Sequence, residues 1–469
     1  MPLELGKRRI WALAGALLVF AYMASAAVLG ALYWDPGRGN SAVLVRSPRG
    51  LVAGAGKGWI VLSTGDNKSA LLTRGESYNI SGLSARLACK TKWGLAVVGT
   101  RGNMRILAVL GPDWKPRWEV SLKLSISPSS CSYRDGLLAV LFTDPVLSSR
   151  LLLYNGSDTA RIIRVTRQVA PTQPSSVSVL GPDTVLLGGK GFYTILRIGA
   201  RYLESSIYKI TFNKAPITIK GAAPTSNGTI LYGYTGSYNN YKGLIYVPGE
   251  GWLWLYGLNK GNRTPTKIHA AIAPYSGVIR LLLEQVGRET DIVEIRDGTV
   301  RDSKALLILV PYMLRQAKAY SDYLLVTSDI FLGKGKERTR AYLALNIRSL
   351  ARMDIGVNET FVVAKIDGNP KVRAEHVEPT VEGPAIVRIS TLNIAKSMPL
   401  GQPTIKVSPG KGDAAWMGAY VDRALLICGS LAAAIAFASP VAWAVLQYNS
   451  DKCGEPGSSQ GNNDEGRRA

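Results

Sequence analysis

Histidine is almost missing: His269 and His376 are the only two in 469 residues. A lone imidazole on a β surface is more often structural or solvated than a base or a ligand, so neither a His-based metal centre nor a Ser-His relay has much to build on. Cysteine is nearly as scarce, with only Cys89, Cys131, Cys428 and Cys453, which excludes a disulfide-dense scaffold. No H-E-x-x-H, G-x-S-x-G or G-x-x-x-x-G-K-[ST] motif occurs. The stretch Gly54-Ala-Gly-Lys57-Gly58 has glycines and a lysine but no helical pattern behind it to aim amides at a phosphate, and it reads as a turn. Acidic residues number 33 against 56 basic ones. Several acidic residues sit in turn contexts: Asp113 and Asp183 follow Gly-Pro, Asp144 precedes Pro145 and Asp367 precedes Gly368. No catalytic residue set, metal-ligand set or cofactor site is therefore expected. A carboxylate pair assembled between distant segments is the enzymatic arrangement left open.

What the chain does have is two long uncharged apolar runs, Ile10–Trp34 and Ala424–Tyr448, each of 25 residues. A helix of that length spans roughly 37 Å, enough to cross a hydrocarbon core of about 30 Å. Lys7, Arg8 and Arg9 precede the first run and predict that residues 1–9 stay cytoplasmic. Residues 10–34 then cross the membrane and residues 35–410 lie outside. Residues 411–423 read as a linker, 424–448 as the return span, and 449–469 as a disordered cytoplasmic tail. Two readings of the first run are open. Ala24-Ser25-Ala26 resembles a signal-peptidase site, whereas the continuation to Trp34 suits an uncleaved anchor.

Asn-x-Ser/Thr acceptors occur at Asn67, Asn79, Asn155, Asn227, Asn262 and Asn358, all between the apolar runs, as expected for an exported glycoprotein. Cys89 and Cys131 are the two cysteines of that region. They are candidates for a disulfide in an oxidising compartment, with two buried free thiols as the alternative.

Between the runs, short stretches rich in Val, Ile, Leu and Tyr are broken by Gly, Pro, Asn and Asp, with no sustained helical period. The region is expected to be all-β, with Ala305–Ala319 the one segment ambiguous between strand and short helix. A Gly or Asp leading an apolar run recurs at Gly58, Gly94, Gly136, Asp183, Gly228, Gly277 and Asp322, at spacings of 36, 42, 47, 45, 49 and 45. A final copy is expected between Thr360 and Ser390. Spacings of that size fit four-stranded propeller blades and predict seven or eight of them. Two stacked β-sandwiches are the alternative fold.

Gly94 to Trp118 and Gly228 to Trp252 are both offsets of 24. Gly94-Leu-Ala-Val-Val-Gly-Thr100 with Trp118 resembles the repeat of quinoprotein-like and WD40-like β-propellers, in which a tryptophan docks neighbouring blades. The resemblance implies shape and not chemistry, because no residue set for a quinone cofactor accompanies it. A ring of blades would bring its ends together, and Ser41–Arg46 is expected to pair with Pro403–Ser408.

Asp35–Asp422 carries 49 basic and 28 acidic residues, a net charge of +21. That field suits docking to anionic lipid, acidic glycan or another polyanion, and equally suits a solvated, thermally adapted surface, which the seven glutamines also fit. The basic residues are dispersed, so no specific nucleic-acid contact is expected. Tyr232, Tyr234, Tyr238, Tyr241 and Tyr246 cluster with Trp252 and Trp254, either as an aromatic binding rim or as ordinary strand residues. The expected function is a membrane-anchored, extracytoplasmic, non-enzymatic module that binds or scaffolds envelope proteins or glycans. An exported enzyme acting on a glycan or peptide, or an accessory subunit of a membrane complex, are the alternatives.

Overall fold

The computed structural model describes residues 41–45 and 51–418, except 347–363 and short segments of at most five residues. Both apolar runs, Tyr238 and Asn358 lie outside the described residues. Among the described residues no helix is long and apolar enough to cross a membrane. The fold is all-β and antiparallel, and the one helix described is the four-residue turn Thr391–Ile394.

Seven sheets follow one another along the chain, each built around four strands. The seven apolar runs picked out by the repeat are the second strands of these sheets: Trp59–Gly65, Gly94–Arg101, Leu137–Thr143, Thr184–Gly189, Gly228–Thr235, Val278–Gln285 and Tyr323–Leu332. Leading glycines are explained by the tight turn before the strand, where Gly94, Gly136, Gly228 and Gly277 have φ of 132°, 82°, 141° and 71°. The strands are apolar without alternation because both faces of a sheet are covered. One apolar cluster joins the first and second sheets through Val61, Leu71, Val97 and Ile106. Equivalent clusters join each following pair of sheets up to the sixth. Side chains such as Val97, Leu107, Leu141 and Leu187 are fully buried between sheets.

The first strands are Leu51–Gly56, Ser84–Thr91, Ser127–Arg134, Pro174–Val179, Thr218–Thr225, Thr266–Tyr275 and Leu314–Tyr320. Each touches the next in order, and the last touches the first. This arrangement is propeller-like, and none of the described sheets closes into a barrel. The approach of neighbouring first strands is close: a Cβ on Gly54 would lie 2.5 Å from the carbonyl oxygen of Ala88, so Gly54 sits in a strand and is required there. The turn expected at Gly54–Gly58 is thus corrected for Gly54–Gly56.

The segment after residue 363 departs from expectation. Instead of an eighth repeat, it supplies an extra outer strand to sheet after sheet, in reverse order. Ala364–Asp367 pairs with the sixth sheet, Val372–Val377 with the fifth, Thr380–Ser390 with the fourth and Ala395–Pro399 with the third. Gly401 then bridges Glu119 of the second sheet, and Lys406–Pro409 pairs with Ser77–Ser81 of the first. Finally Ala414–Gly418, placed in the expected linker, pairs with Ser41–Val45. Ser41–Val45 also pairs with Glu337–Asn346 and so completes the seventh sheet. The expected partner Pro403–Ser408 is corrected: strand pattern alone does not say which of several edges a strand joins, and this stretch docks one sheet further along. The segment Ala305–Ala319 is strand on both sides, in Thr299–Ile308 and Leu314–Tyr320.

An outer strand held mainly by backbone hydrogen bonds needs anchors, and Glu119 is one. This buried carboxylate accepts from the Thr404 amide at 2.8 Å and its hydroxyl at 2.9 Å, and it pairs with Arg101 at 3.5 Å. Arg101 also donates to the Gly82 carbonyl and to Thr404 Oγ1. Glu119→Ala strands these donors, and because Arg101 is 23% exposed we expect a loss of about 2 to 3 kcal/mol rather than the larger cost of a fully buried pair. Chemical denaturation measures the loss. Hydrogen exchange should show the amides of Lys406, Val407 and Ser408 losing protection first, and unchanged exchange there would contradict the anchoring role.

Candidate functional site

All seven first strands carry a register shift at the same place. The extra residues are Ala53, Arg86, Ser129, Ser175, Lys220, His269 and Arg315. A bulge re-aims the side chain it inserts, and repeated bulges near a common edge place those side chains together in sequence-independent fashion. None of the seven is acidic. Arg86 and Ser175 are exposed although their strand neighbours are buried, and Lys220 and His269 are half-buried.

Serines beside the bulges occupy backbone groups on the next sheet. Ser130 and Ser132 hydroxyls accept from the amides of Val177 and Val179 at 3.3 and 2.9 Å. Ser178 accepts from the Ala222 amide at 3.0 Å, and Ser176 donates to the Ile219 carbonyl at 3.1 Å. These bonds cap first-strand edges that have no strand partner. Cys89 and Cys131 lie on the first strands of the second and third sheets and are joined as a disulfide, with Cα atoms 6.5 Å apart. That separation falls within the range a disulfide spans.

A grouping of basic and aromatic side chains lies where the fifth and sixth sheets meet. Lys220 comes from the bulge of the fifth sheet, and Lys267 and His269 from the first strand of the sixth. Lys220 Nζ and Lys267 Nζ lie 5.6 and 5.0 Å from the centre of the same Tyr234 ring, and Lys267 is 5.2 Å from that of Tyr241. Tyr234 and Tyr241 meet edge to face at 4.9 Å. Burial, then the nearby Lys267 charge, lowers the Lys220 pKa. His269 Nε2 is 2.5 Å from Glu284 Oε2. That hydrogen bond is the main force holding the Glu284 carboxyl below its usual range; burial opposes it, and the charges of His269 and Lys267 add to it.

The aromatic residues singled out in the sequence are divided by the structure. Tyr234 and Tyr241 belong to the lysine grouping. Tyr232 packs into the core between the fifth and sixth sheets, where burial pushes its hydroxyl up to about 12. Trp252 and Tyr246 pack into the core between the fourth and fifth sheets. Trp254 stands under Lys242 and Arg263, at 4.9 and 5.0 Å, with Tyr256 beside it. Trp118, at the same offset as Trp252, packs instead toward the following sheet, 4.4 Å from Tyr154. The two tryptophans therefore share a strand position but dock opposite neighbours.

His376, on an added outer strand, lies near Glu250 and Asp297. Burial and then Asp297 raise the Glu250 carboxyl, while His376 and the Gly298 amide act against the shift. Asn67, Asn79, Asn155, Asn227 and Asn262 are all exposed. Among the described residues, no three His, Cys, Asp or Glu side chains gather closely enough to hold a metal ion. No protein-family model matches the chain, and no curated protein matches it.

The bulges escaped sequence reading because they leave no compositional mark. The lysine grouping escaped because Lys220 and Lys267 are 47 positions apart and meet only through sheet packing. The Glu284 carboxyl gives a direct test. Its folded pKa is lowered, so its contribution to stability is present above the ordinary value of 4.5 and is lost as pH falls through the lowered value. Glu284→Gln should therefore be less stable than the native chain at neutral pH, with the gap closing below that value. Denaturation midpoints measured from neutral to acid pH check this, and a gap that stays constant contradicts it.

Proposed function

We propose that this chain is a membrane-anchored, extracytoplasmic β-propeller of seven blades that acts as a non-enzymatic binding or scaffolding module for envelope components. The observation that carries the reading is the pairing of Ser41–Val45 with both Glu337–Asn346 and Ala414–Gly418. It ties the two ends of the β unit into one sheet. Six residues separate Ser41 from the first apolar run, and five separate Gly418 from the second. A β unit with both ends tied together and an apolar run beside each is what a domain held on a pair of membrane spans requires.

Other features support the same reading. The cyclic contacts of the seven first strands fit a closed ring. The Cys89–Cys131 disulfide fits an oxidising compartment. Exposed acceptor asparagines fit an exported surface. The net charge of +21 between residues 35 and 422 suits partners rich in anionic groups, whether lipid headgroups or acidic glycans. The enzymatic alternative draws on one feature, the raised Glu250 carboxyl near Asp297 and His376. Since Asp297 and His376 are exposed, a structural turn accounts for the group as well.

The topology is tested by cysteine labelling in intact cells. A Cys at Asn227→Cys, in an exposed turn, should react with a membrane-impermeant maleimide from outside. The native Cys453 should react only after permeabilisation. Labelling of the Asn227→Cys site only after lysis would overturn the proposed orientation.

A further inference from the structure

We propose that the junction of the fifth and sixth sheets is a binding site for an oxyanion, the phosphate or carboxylate group of a small soluble ligand, seated between Lys220 and Lys267. The inference rests on the reading of the β unit as a binding module and names the chemistry of one of its ligands.

Three independent observations point to this place. First, two ammonium groups are brought to one tyrosine ring, at 5.6 and 5.0 Å from its centre, in a half-buried setting. Like charges gathered at one ring repel, the Lys267 charge acting on Lys220, and partial burial strengthens the repulsion by removing water. The Tyr234 and Tyr241 rings offset some of it through their negative faces. No carboxylate forms an ion pair with either lysine among the described residues.

Second, the acid nearest to hand is already engaged. Glu284 stands opposite Lys267 in the strand register, yet its Oε2 lies 2.5 Å from His269. His269 therefore holds Glu284 away from full neutralisation of the lysines. Third, Lys220 is the inserted residue of a bulge. Its six counterparts, Ala53, Arg86, Ser129, Ser175, His269 and Arg315, are neutral or basic, so no inserted residue of another sheet is a carboxylate.

An oxyanion between the two ammonium groups would accept a charge-assisted hydrogen bond from each and relieve their repulsion. Two such bonds in a partly dehydrated site are a recurring way of holding phosphate or carboxylate. The tyrosine rings beside them give the remainder of a ligand an amphipathic wall, as a sugar ring or short aliphatic stem requires. Lys242 and Arg263 do not form an equivalent site. Arg263 is paired with Glu375 at 2.9 Å, and Lys242 lies over the Trp254 and Phe212 rings.

The test uses the full-length protein in detergent micelles, titrated with inorganic phosphate, glucose 6-phosphate or glucuronate at constant ionic strength. Calorimetry and the thermal unfolding midpoint are both read. At least one of the three should bind saturably and raise the midpoint, and which of them does so separates phosphate from carboxylate recognition. Lys220→Ala and Lys267→Ala should each weaken binding by about tenfold, the loss of one charge-assisted hydrogen bond. Lys267→Arg keeps the charge and should retain most of the affinity, which guards against a variant that fails only by misfolding. Lys90→Ala, at an exposed lysine elsewhere, should leave affinity unchanged. No saturable binding of any of the three at millimolar concentration would overturn the proposal, and so would affinity indifferent to Lys220 and Lys267. Binding in micelles does not depend on which side of a membrane the β unit occupies, so this test and the labelling test fail separately.

Discussion

A four-stranded sheet packed on both faces still has two edges, and each edge is a row of backbone groups that must find partners. That requirement organises this molecule. The faces are satisfied by stacking, as in the second strand of the third sheet, where every side chain from Leu137 to Phe142 is buried. The edges need separate solutions. At the first strands the gap is closed by serine hydroxyls from the adjacent sheet, such as Ser132 to Val179. At the outer strands it is closed by the C-terminal segment, which adds a strand to six sheets and a two-bond bridge to the second. Edges left bare on so many sheets would be templates for pairing between molecules.

The same requirement explains where chemistry collects. First strands from successive sheets touch, so their side chains are the ones brought together from distant parts of the chain. Only small groups fit at the closest approach, as at Gly54 against Ala88. A regular strand would send its remaining side chains into the packed faces between sheets. The bulge at each first strand breaks this alternation and re-aims one residue per sheet: Arg86 and Ser175 are exposed there, whereas Ala53 packs into the core. Lys220 and His269 are two such residues. A charged side chain tolerated at that position is therefore more informative than one on an outer strand, where exposure is the ordinary condition.

Legibility from sequence follows burial. The second strands were readable because continuous apolar runs led by Gly or Asp reflect two covered faces and a turn with positive φ. The disulfide was legible because Cys89 and Cys131 are the two cysteines between the apolar runs, and they fall on first strands of neighbouring sheets. The outer strands were not readable in the same way. Thr380–Ser390 is exposed over most of its length and is held by main-chain bonds, which any polar sequence can make. Its periodicity therefore carries no trace of its partner, and an eighth repeat was the natural misreading. The tryptophan offset of 24 fixed the strand but not the face, since a single bulge or a one-residue shift reverses the side a residue points to.

The direction of the C-terminal segment has a consequence for cohesion. It visits the sixth, fifth, fourth, third, second and first sheets and then the seventh, opposite to their order of synthesis. Its docking edges are fourth strands, so each added strand presupposes a sheet already formed, and neighbouring docking sites must already be stacked at the right spacing. The last of these strands pairs with Ser41–Val45, which itself completes the seventh sheet. The earliest and latest described strands are thus neighbours in one sheet, separated by 368 residues of chain. Contacts of such sequence separation are entropically expensive to form and come late in folding. Once made, they couple neighbouring sheets from both edges: a disulfide and serine hydroxyls link the second to the fifth sheets within, and the C-terminal strands serve the outer edges without. A local opening at one sheet then disturbs the strand that serves the next, and the Glu119–Thr404 contact matters because it fastens that chain where its pairing is thinnest.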